Sequence, residues 1–331
     1  MPEKNRIELG SLWDIVLVLA DGEFHSGEEL GLLLNISRTA VWKHLQKLEY
    51  FGVNLSSVKG KGYCIPGGLD LLCSKKITSL LKSKQQLELN IFPQIDSTNS
   101  FLMEQLDPAR QVCCAEFQSA GRGRRGRLWV SPMAQNLYFS IGWGFEGGVA
   151  AIEGLSLVVG VAISRALNKC GLKDVKLKWP NDVLYQNKKL AGVLIEMTGD
   201  PSGYCQVVIG VGLNVSMQEL HATGIDQPWA ALNSMLAEDG LPHMSRNQVT
   251  AMLLDELLNI LQAYESEGLS FYLDEWMNIA AYKGQQVELR NGQALINGTF
   301  AGVTESGALR LLCDGREQIF HGGEVSLRSL A

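Results

Sequence analysis

The chain has 331 residues, 46% hydrophobic and 19% charged, which fits two or three domains and excludes both a single small module and intrinsic disorder. Its 29 Lys and Arg against 35 Asp and Glu give a net charge of −6, so any contact with nucleic acid has to come from a local basic patch. Seven scattered cysteines (Cys64, Cys73, Cys113, Cys114, Cys170, Cys205, Cys313) with no C-x-x-C and no His/Cys cluster at ligand spacing exclude a disulfide framework and a zinc site.

In chain order, the apolar run from Leu12 to Ala20 is broken by Asp14 and lacks a small-residue cleavage motif, so no secretory signal is expected. The charge-free stretches 128–145 and 201–218 hold Ser, Asn, Gln, Gly and Pro, unlike membrane spans. A cytoplasmic protein with no membrane partner is expected. Residues 9–48 predict three helices. Leu12, Ile15, Val16 and Leu19 share one face, Ser26 with Glu29 spells a capping box, and Ser37 caps a helix carrying Val41, Leu45 and Leu48. The period then switches to two at Val53 and Leu55, and Lys59-Gly60-Lys61-Gly62 turns the chain back through Tyr63 and Ile65, a hairpin. Three helices and a hairpin outline a winged helix-turn-helix, closed by Pro66-Gly67-Gly68.

From 75 to 272 the pattern is mixed. Strands are expected near 87–95, 111–117, 136–143, 174–178, 190–197 and 204–215, and helices over 98–106, 150–170 and 246–267. The order is no strict alternation, which favours α+β with a mixed sheet. Beyond 283, Asn291-Gly292, Asn297-Gly298, Ser306-Gly307 and Asp314-Gly315 predict turns between the short strands of a small β-barrel. The expected domains are 1–67, 68–280 and 281–331.

Between Ser37 and Tyr63 five cations, Arg38, Lys43, Lys47, Lys59 and Lys61, face the single acid Glu49. Residues early in the second helix of a helix-turn-helix reach base edges, so Ser37, Arg38, Thr39, Trp42, Lys43, Gln46 and Lys47 are candidates for the groove, with Lys59 and Lys61 on phosphates. A basic face that binds another protein is the alternative. So few cations per copy imply weak, salt-dependent binding and hence a dimer on two half-sites.

Gly121-Arg122-Gly123-Arg124-Arg125-Gly126-Arg127 contains G-x-G-x-x-G, yet Leu128-Trp129-Val130-Ser131-Pro132 follows in place of a helix. It is neither a dinucleotide fingerprint nor a Walker loop. Four guanidinium groups without an acid between Phe117 and Ser131 repel one another, so the loop stays mobile until an anion neutralises it, and a carboxylate or polyphosphate is expected. A solvated nucleic-acid loop is the alternative. Lys178-Trp179-Pro180-Asn181-Asp182 sets a carboxylate at a strand end, where Asp182 is a candidate Mg²⁺ ligand. Lys188-Lys189-Leu190-Ala191-Gly192 opens an apolar strand whose Gly192 admits close approach of a ligand. Ile95-Asp96-Ser97-Thr98-Asn99 reads equally as a ligand-binding set or a helix cap, and Gly210-Val211-Gly212-Leu213-Asn214 as a site or a bulge.

These segments together resemble the bifunctional biotin–protein ligases and biotin-operon repressors. The resemblance runs over nearly the whole chain through IDSTN, QSAGRGRRGRLW, KWPND, KKLAGVLIE and GVGLN, with FHSGEELG and KGKGY near the N-terminus. It implies a winged helix, a central synthetase-like α+β domain and a C-terminal SH3-like barrel. Biotin and ATP give biotinyl-5′-adenylate, the acyl group passes to a lysine of a biotin carboxyl carrier protein, and the adenylate acts as corepressor of a dimer on operator DNA. The family's biotin positions fall on Ser97, Thr98, Asn99, Gln118, Gly121, Arg122, Gly123, Arg124, Lys189, Gly192 and Gly210. Its nucleotide positions fall on Arg122, Arg124, Arg127, Trp129, Asn181, Lys189, Asn214, Trp229 and Arg328, and its catalytic groups on Arg124, Lys189 and Asp182. Trp42 departs from the polar residue expected in the recognition helix. A DNA-binding sensor without catalysis and a lipoate or octanoyl ligase are the other two readings. Arg124, Asp182 and Lys189 count against the first and the arginine loop against the second.

Overall fold

A computed structural model of the chain describes residues 8–10, 12–200, 202–291 and 293–321, and the backbone of 325–329. Helices α1 (Leu12–Leu19), α2 (Gly27–Leu34) and α3 (Arg38–Lys47) precede a hairpin of β1 (Ser56–Val58) and β2 (Gly62–Cys64). Both hydrogen bonds of the Ser26/Glu29 capping box are present, and Ser37 caps α3 through the Ala40 amide. A Cβ at Gly62 would lie 2.1 Å from the His25 carbonyl oxygen, so the wing closes on α2 because glycine stands there.

The central region forms a seven-stranded sheet in the order β3-β4-β5-β9-β8-β7-β6. Its strands are β3 (Glu88–Phe92), β4 (Gln111–Ala115), β5 (Leu137–Phe145), β6 (Val175–Lys178), β7 (Asp182–Tyr185), β8 (Lys188–Gly199) and β9 (Cys205–Leu213). Only β3 and β4 run parallel, the mixed sheet that the broken alternation predicts. Helices α6 (Leu155–Cys170) and α8 (Arg246–Glu267) pack with Val112, Cys114, Val207 and Ile209 in the main core, whereas Cys113 and Val208 pack with Leu102 of α5 (Thr98–Met103). Alternating residues along one strand thus serve the two faces. The apolar run Gly148–Cys170 is long enough to cross a membrane, but the fold buries α6 in this core, including Val158, Val159, Ala162 and Ile163.

Helices α4 (Ser74–Leu80), α7 (Leu232–Glu238) and α9 (Leu273–Asn278), and strand β7, add to the predicted elements, and α5 stops at Met103 rather than 106. The C-terminal strands β10 (Gln286–Asn291), β11 (Ala294–Val303), β12 (Leu309–Cys313), β13 (Arg316–Phe320) and β14 (Val325–Ser329) form an antiparallel sheet in the order β13-β12-β11-β10-β14. Asn297-Gly298 is not a turn but lies within β11. A Cβ on Gly298 would meet Cys313 Sγ at 2.8 Å, so this glycine serves close strand approach instead. Ser306-Gly307 and Asp314-Gly315 do lie between strands.

The winged helix sits on the central region through Phe51, edge-to-face with Phe117 at 4.9 Å, and through Gln135, whose side-chain amide donates to the Gly52 carbonyl at 2.9 Å. Between β2 and α4 the chain is anchored by Arg246, which pairs with Glu116 at 2.6 Å and donates to the Asp70 carbonyl.

Candidate active site and nucleic-acid interface

On the α5 side of the sheet the strands lose their side chains where the cleft needs room. Gly192 of β8 stands opposite Gly212 of β9, and Gly210 opposite Ser140 of β5. A Cβ at Gly210 would lie 2.1 Å from Asn99 Oδ1, and one at Gly212 would lie 2.4 Å from the Trp129 ring. The glycine segment is unbroken strand rather than a bulge, for β9 keeps continuous register with both neighbours. The cleft above it encloses about 520 Å³, within the usual range for small-molecule sites.

One end of this cleft is neutral. Ser97 caps α5 through the Ser100 amide, as its sequence position allows, and the Thr98 amide donates to Gln118 Oε1 at 2.9 Å. The Gln118 side chain donates in turn to Ser131 Oγ at 3.1 Å, and Ser131 to the Trp129 carbonyl at 2.9 Å. The Ser140 hydroxyl donates to Asn99 Oδ1 at 2.5 Å and lies 2.7 Å from Thr98 Oγ1. Thr98, Asn99, Gln118 and Ser140 are all buried.

The opposite end is charged. The β6–β7 hairpin sets Lys178 beside Asp182, and the carboxylate takes Lys178 at 3.1 Å on one oxygen and Lys189 at 2.7 Å on the other. Burial pushes the Asp182 carboxyl up, but Lys189 and Lys178 outweigh it and hold it below its ordinary value. Arg124 donates to Asn181 Oδ1 at 3.1 Å. Burial lowers its pKa, Asp182 opposes the shift and Arg125 adds to it. Lys189 Nζ also stands 5.3 Å from the centre of the Trp129 ring, a cation–π distance. The backbone of Lys189 pairs with the segment at Trp229, accepting from Ala230 and donating to Pro228, each at 2.9 Å.

The cleft thus brings together Ser97, Thr98, Asn99, Gln118, Arg122, Gly123, Arg124, Arg127, Trp129, Asn181, Asp182, Lys189, Gly192, Gly210, Asn214 and Trp229. Gly121 lies behind it, against the Trp129 carbonyl and the Ser131 hydroxyl, and the space at Gly192 and Gly210 is taken by Trp129 and Asn99. Arg328 falls on β14, its side chain outside the described residues. Three contributors escaped the sequence: Lys178, Ser140 and Glu196. Glu196 of β8 accepts from Asn99 Nδ2 at 2.9 Å and pairs with Arg122 at 2.7 Å.

Residues 91–214 match the Biotin/lipoate A/B protein ligase family, residues 13–64 the HTH domain, and residues 283–328 the Biotin protein ligase C terminal domain. The chain is 42% identical over 317 residues to the bifunctional ligase/repressor BirA of Escherichia coli (strain K12), covering 95% of this chain and 96% of that protein. It belongs to the bifunctional biotin ligase/repressor family. The biotin–[acetyl-CoA-carboxylase] ligase of Paracoccus denitrificans is 32% identical over 64% of this chain and 88% of its own length. The solved biotin protein ligase of Aquifex aeolicus in complex with biotin and ATP aligns with a TM-score of 0.64 at 28% identity, over 73% of this chain and 99% of that one.

In this biotin ligase/repressor the face that the helix-turn-helix pattern predicts for DNA is open to solvent. Arg38, Thr39, Trp42, Lys43, Gln46 and Lys47 are exposed along α3, and Lys59 and Lys61 are exposed on the wing. Ser37, also exposed, spends its side chain on the cap of α3. Trp42 stands 48% exposed, so it belongs to this outer face and not to the core of the domain.

Proposed function

We propose that this chain joins biotin to a lysine of a biotin carboxyl carrier protein in two steps, with ATP as activating substrate. The biotin carboxylate attacks the α-phosphorus of ATP, forming biotinyl-5′-adenylate as pyrophosphate leaves. The carrier amine then attacks the acyl carbon, and AMP departs with the electron pair of the anhydride bond. The observation that carries this is a single cleft with a neutral hydrogen-bonding end and a cationic end where Lys178, Lys189 and Arg124 surround one carboxylate. A ureido ring suits the first end, and an acyl phosphate the second.

Ser97, Thr98, Asn99 and Gln118 recognise biotin, with Gly210 making room for Asn99 and Gly192 for Trp129, while Gly121 packs behind the cleft and Gly123 lies in the loop over it. Lys189 and Arg124 meet the charge that builds at phosphorus, while Asp182 holds Lys189 in place. Arg122, Arg127, Trp129, Asn181, Asn214, Trp229 and Arg328 hold the nucleotide. A resident Mg²⁺ does not fit Asp182, whose two oxygens already face two lysines. No group of three His, Cys, Asp or Glu side chains comes together among the described residues, so Mg²⁺ enters as the ion of ATP.

The basic α3 and wing support the second role, repression of a biotin operon in the cytoplasm, with the adenylate as corepressor of a homodimer. The boundaries 1–67, 68–280 and 281–331 divide these tasks. The purified chain with labelled biotin, ATP, Mg²⁺ and a carrier domain tests the first role. Label on the carrier with one pyrophosphate per label is expected, and no biotin-dependent pyrophosphate release would overturn it. Operator affinity measured alone, with biotin and ATP, and with carrier added tests the second. It should rise with the adenylate and fall with the carrier, and equal affinity in all three would remove the sensing role.

A further inference from the structure

We propose that Glu196 is a positioning residue for the ligation, acting through Asn99 on the biotin end of the cleft and through Arg122 on the arginine loop. It lies in the last third of β8, 97 residues from Asn99 in sequence, and its two oxygens go to different tasks: Oε2 accepts from the Asn99 amide at 2.9 Å, and Oε1 pairs with Arg122 at 2.7 Å. Arg122 also donates to Ser100 Oγ at 3.3 Å, so the loop is tied down both on the sheet and on α5.

An asparagine side chain has nearly the same shape with its amide turned over, so only its partners decide which atom is donor and which acceptor. A carboxylate can only accept. Glu196, with the Leu194 carbonyl at 3.3 Å, therefore fixes the Asn99 amide as donor and leaves Oδ1 to take the Ser140 proton. Ser140 Oγ also lies 2.7 Å from Thr98 Oγ1, which in turn reaches Gln118 Oε1 at 3.3 Å. Glu196 thus sets the polarity of two buried side chains on the ligand wall, Asn99 and Ser140, in a setting where a reversed bond has no water to correct it. Gln118 at the far end is oriented separately, by the Thr98 amide.

The second task is electrostatic. Four arginines between 122 and 127 repel one another, and the pair with Glu196 cancels one charge while holding the loop's first arginine against the sheet. With the tether lost, the loop covers the acyl adenylate less of the time.

This inference rests on the biotin ligation proposed above, and the two parts of the Glu196 role separate in two variants. Glu196→Gln keeps an acceptor for Asn99 but drops the charge, whereas Glu196→Ala removes both. In steady-state adenylation and adenylate-release assays, Glu196→Ala is expected to raise the KM for biotin by about tenfold with kcat changed far less. Glu196→Gln restores the biotin KM yet, like Glu196→Ala, releases adenylate several-fold faster than the native chain. A biotin KM unchanged in Glu196→Ala, or no better in Glu196→Gln, overturns the polarity role, and native release from Glu196→Gln overturns the tether. If Glu196→Ala does not fold, the Glu196→Gln release rate still decides the tether, and its biotin KM, expected to match the native chain, decides the polarity role. Absence of biotin-dependent adenylation by the native chain is a failure of the ligase reading itself and is visible before any variant is made.

Discussion

Thr98, Asn99, Gln118 and Ser140 are buried and bonded to one another, while a few residues away on the same cleft Arg122, Arg125 and Arg127 are exposed. The neutral wall spends sheet, helix cap and three strand glycines on holding donors and acceptors in one arrangement before any ligand arrives. The arginine loop spends little on burial and is held instead by a few polar ties, Arg122 to Glu196 and Ser100 and Arg124 to Asn181. Recognition of an uncharged ring profits from a preformed wall, whereas enclosure of a reactive anhydride needs a cover that opens and closes.

The sharpest way to break this contrast is at Lys189. Lys189→Ala is expected to lower adenylation by about 100- to 1000-fold, the usual scale for one group that meets developing charge, while the fold is retained at a melting temperature lowered by the loss of the pair with Asp182. Steady-state pyrophosphate release and a thermal melt check it. The neutral wall is tested from inside by Gly210→Ala, whose new methyl would sit 2.1 Å from Asn99 Oδ1. Displacing Asn99 should weaken biotin binding by about tenfold or more and cost about 1–3 kcal/mol of stability, measurable by calorimetry and denaturant unfolding.

Arg124→Gly acts on the cover. Adenylate synthesis should fall less than retention, with release faster by about tenfold, so that bystander lysines become biotinylated. Mass spectrometry of a mixture of carrier and an unrelated lysine-rich protein reads this directly, and labelling confined to the carrier would deny the loop its enclosing role.

The smallest effect lies in the DNA-binding region. His25 sits between Asp21 at 2.9 Å and Glu29 at 3.1 Å. Burial works against its protonation, but the hydrogen bonds and charges of Glu29 and Asp21 raise its pKa above the ordinary 6.5. A raised folded-state pKa means that the stabilisation is fully present below 6.5 and is lost as pH climbs through the higher folded value. The folding stability of the helix-turn-helix region should therefore fall as pH rises above 6.5 through this group, read by denaturant unfolding at pH 6 and pH 8, and His25→Gln should flatten that dependence while leaving ligation unchanged.

Local chemistry was legible in the sequence wherever neighbours in the chain decide it. The capping box at Ser26, the cap at Ser37, the cap at Ser97 and the glycine-turned wing all follow from spacing alone. What sequence spacing could not supply were partnerships across the fold. Lys178 and Asp182 look like an ordinary charged turn until the hairpin pairs them, and Glu196 looks like a solvated strand residue until β8 brings it to Asn99. Asn297-Gly298 misled in the opposite sense, since a turn dipeptide was used for close strand packing. The arginine loop was conspicuous because charge density is a property of the sequence itself.

Biotin-dependent exchange of labelled pyrophosphate into ATP, measured beside biotin affinity for the native chain and for Lys189→Ala, tests the central claim most directly. Exchange in the native chain that requires biotin, and its collapse in Lys189→Ala even at saturating biotin, is the expected result. Exchange that needs no biotin, or that survives intact without Lys189, would contradict an adenylation site built from a neutral wall and a cationic end.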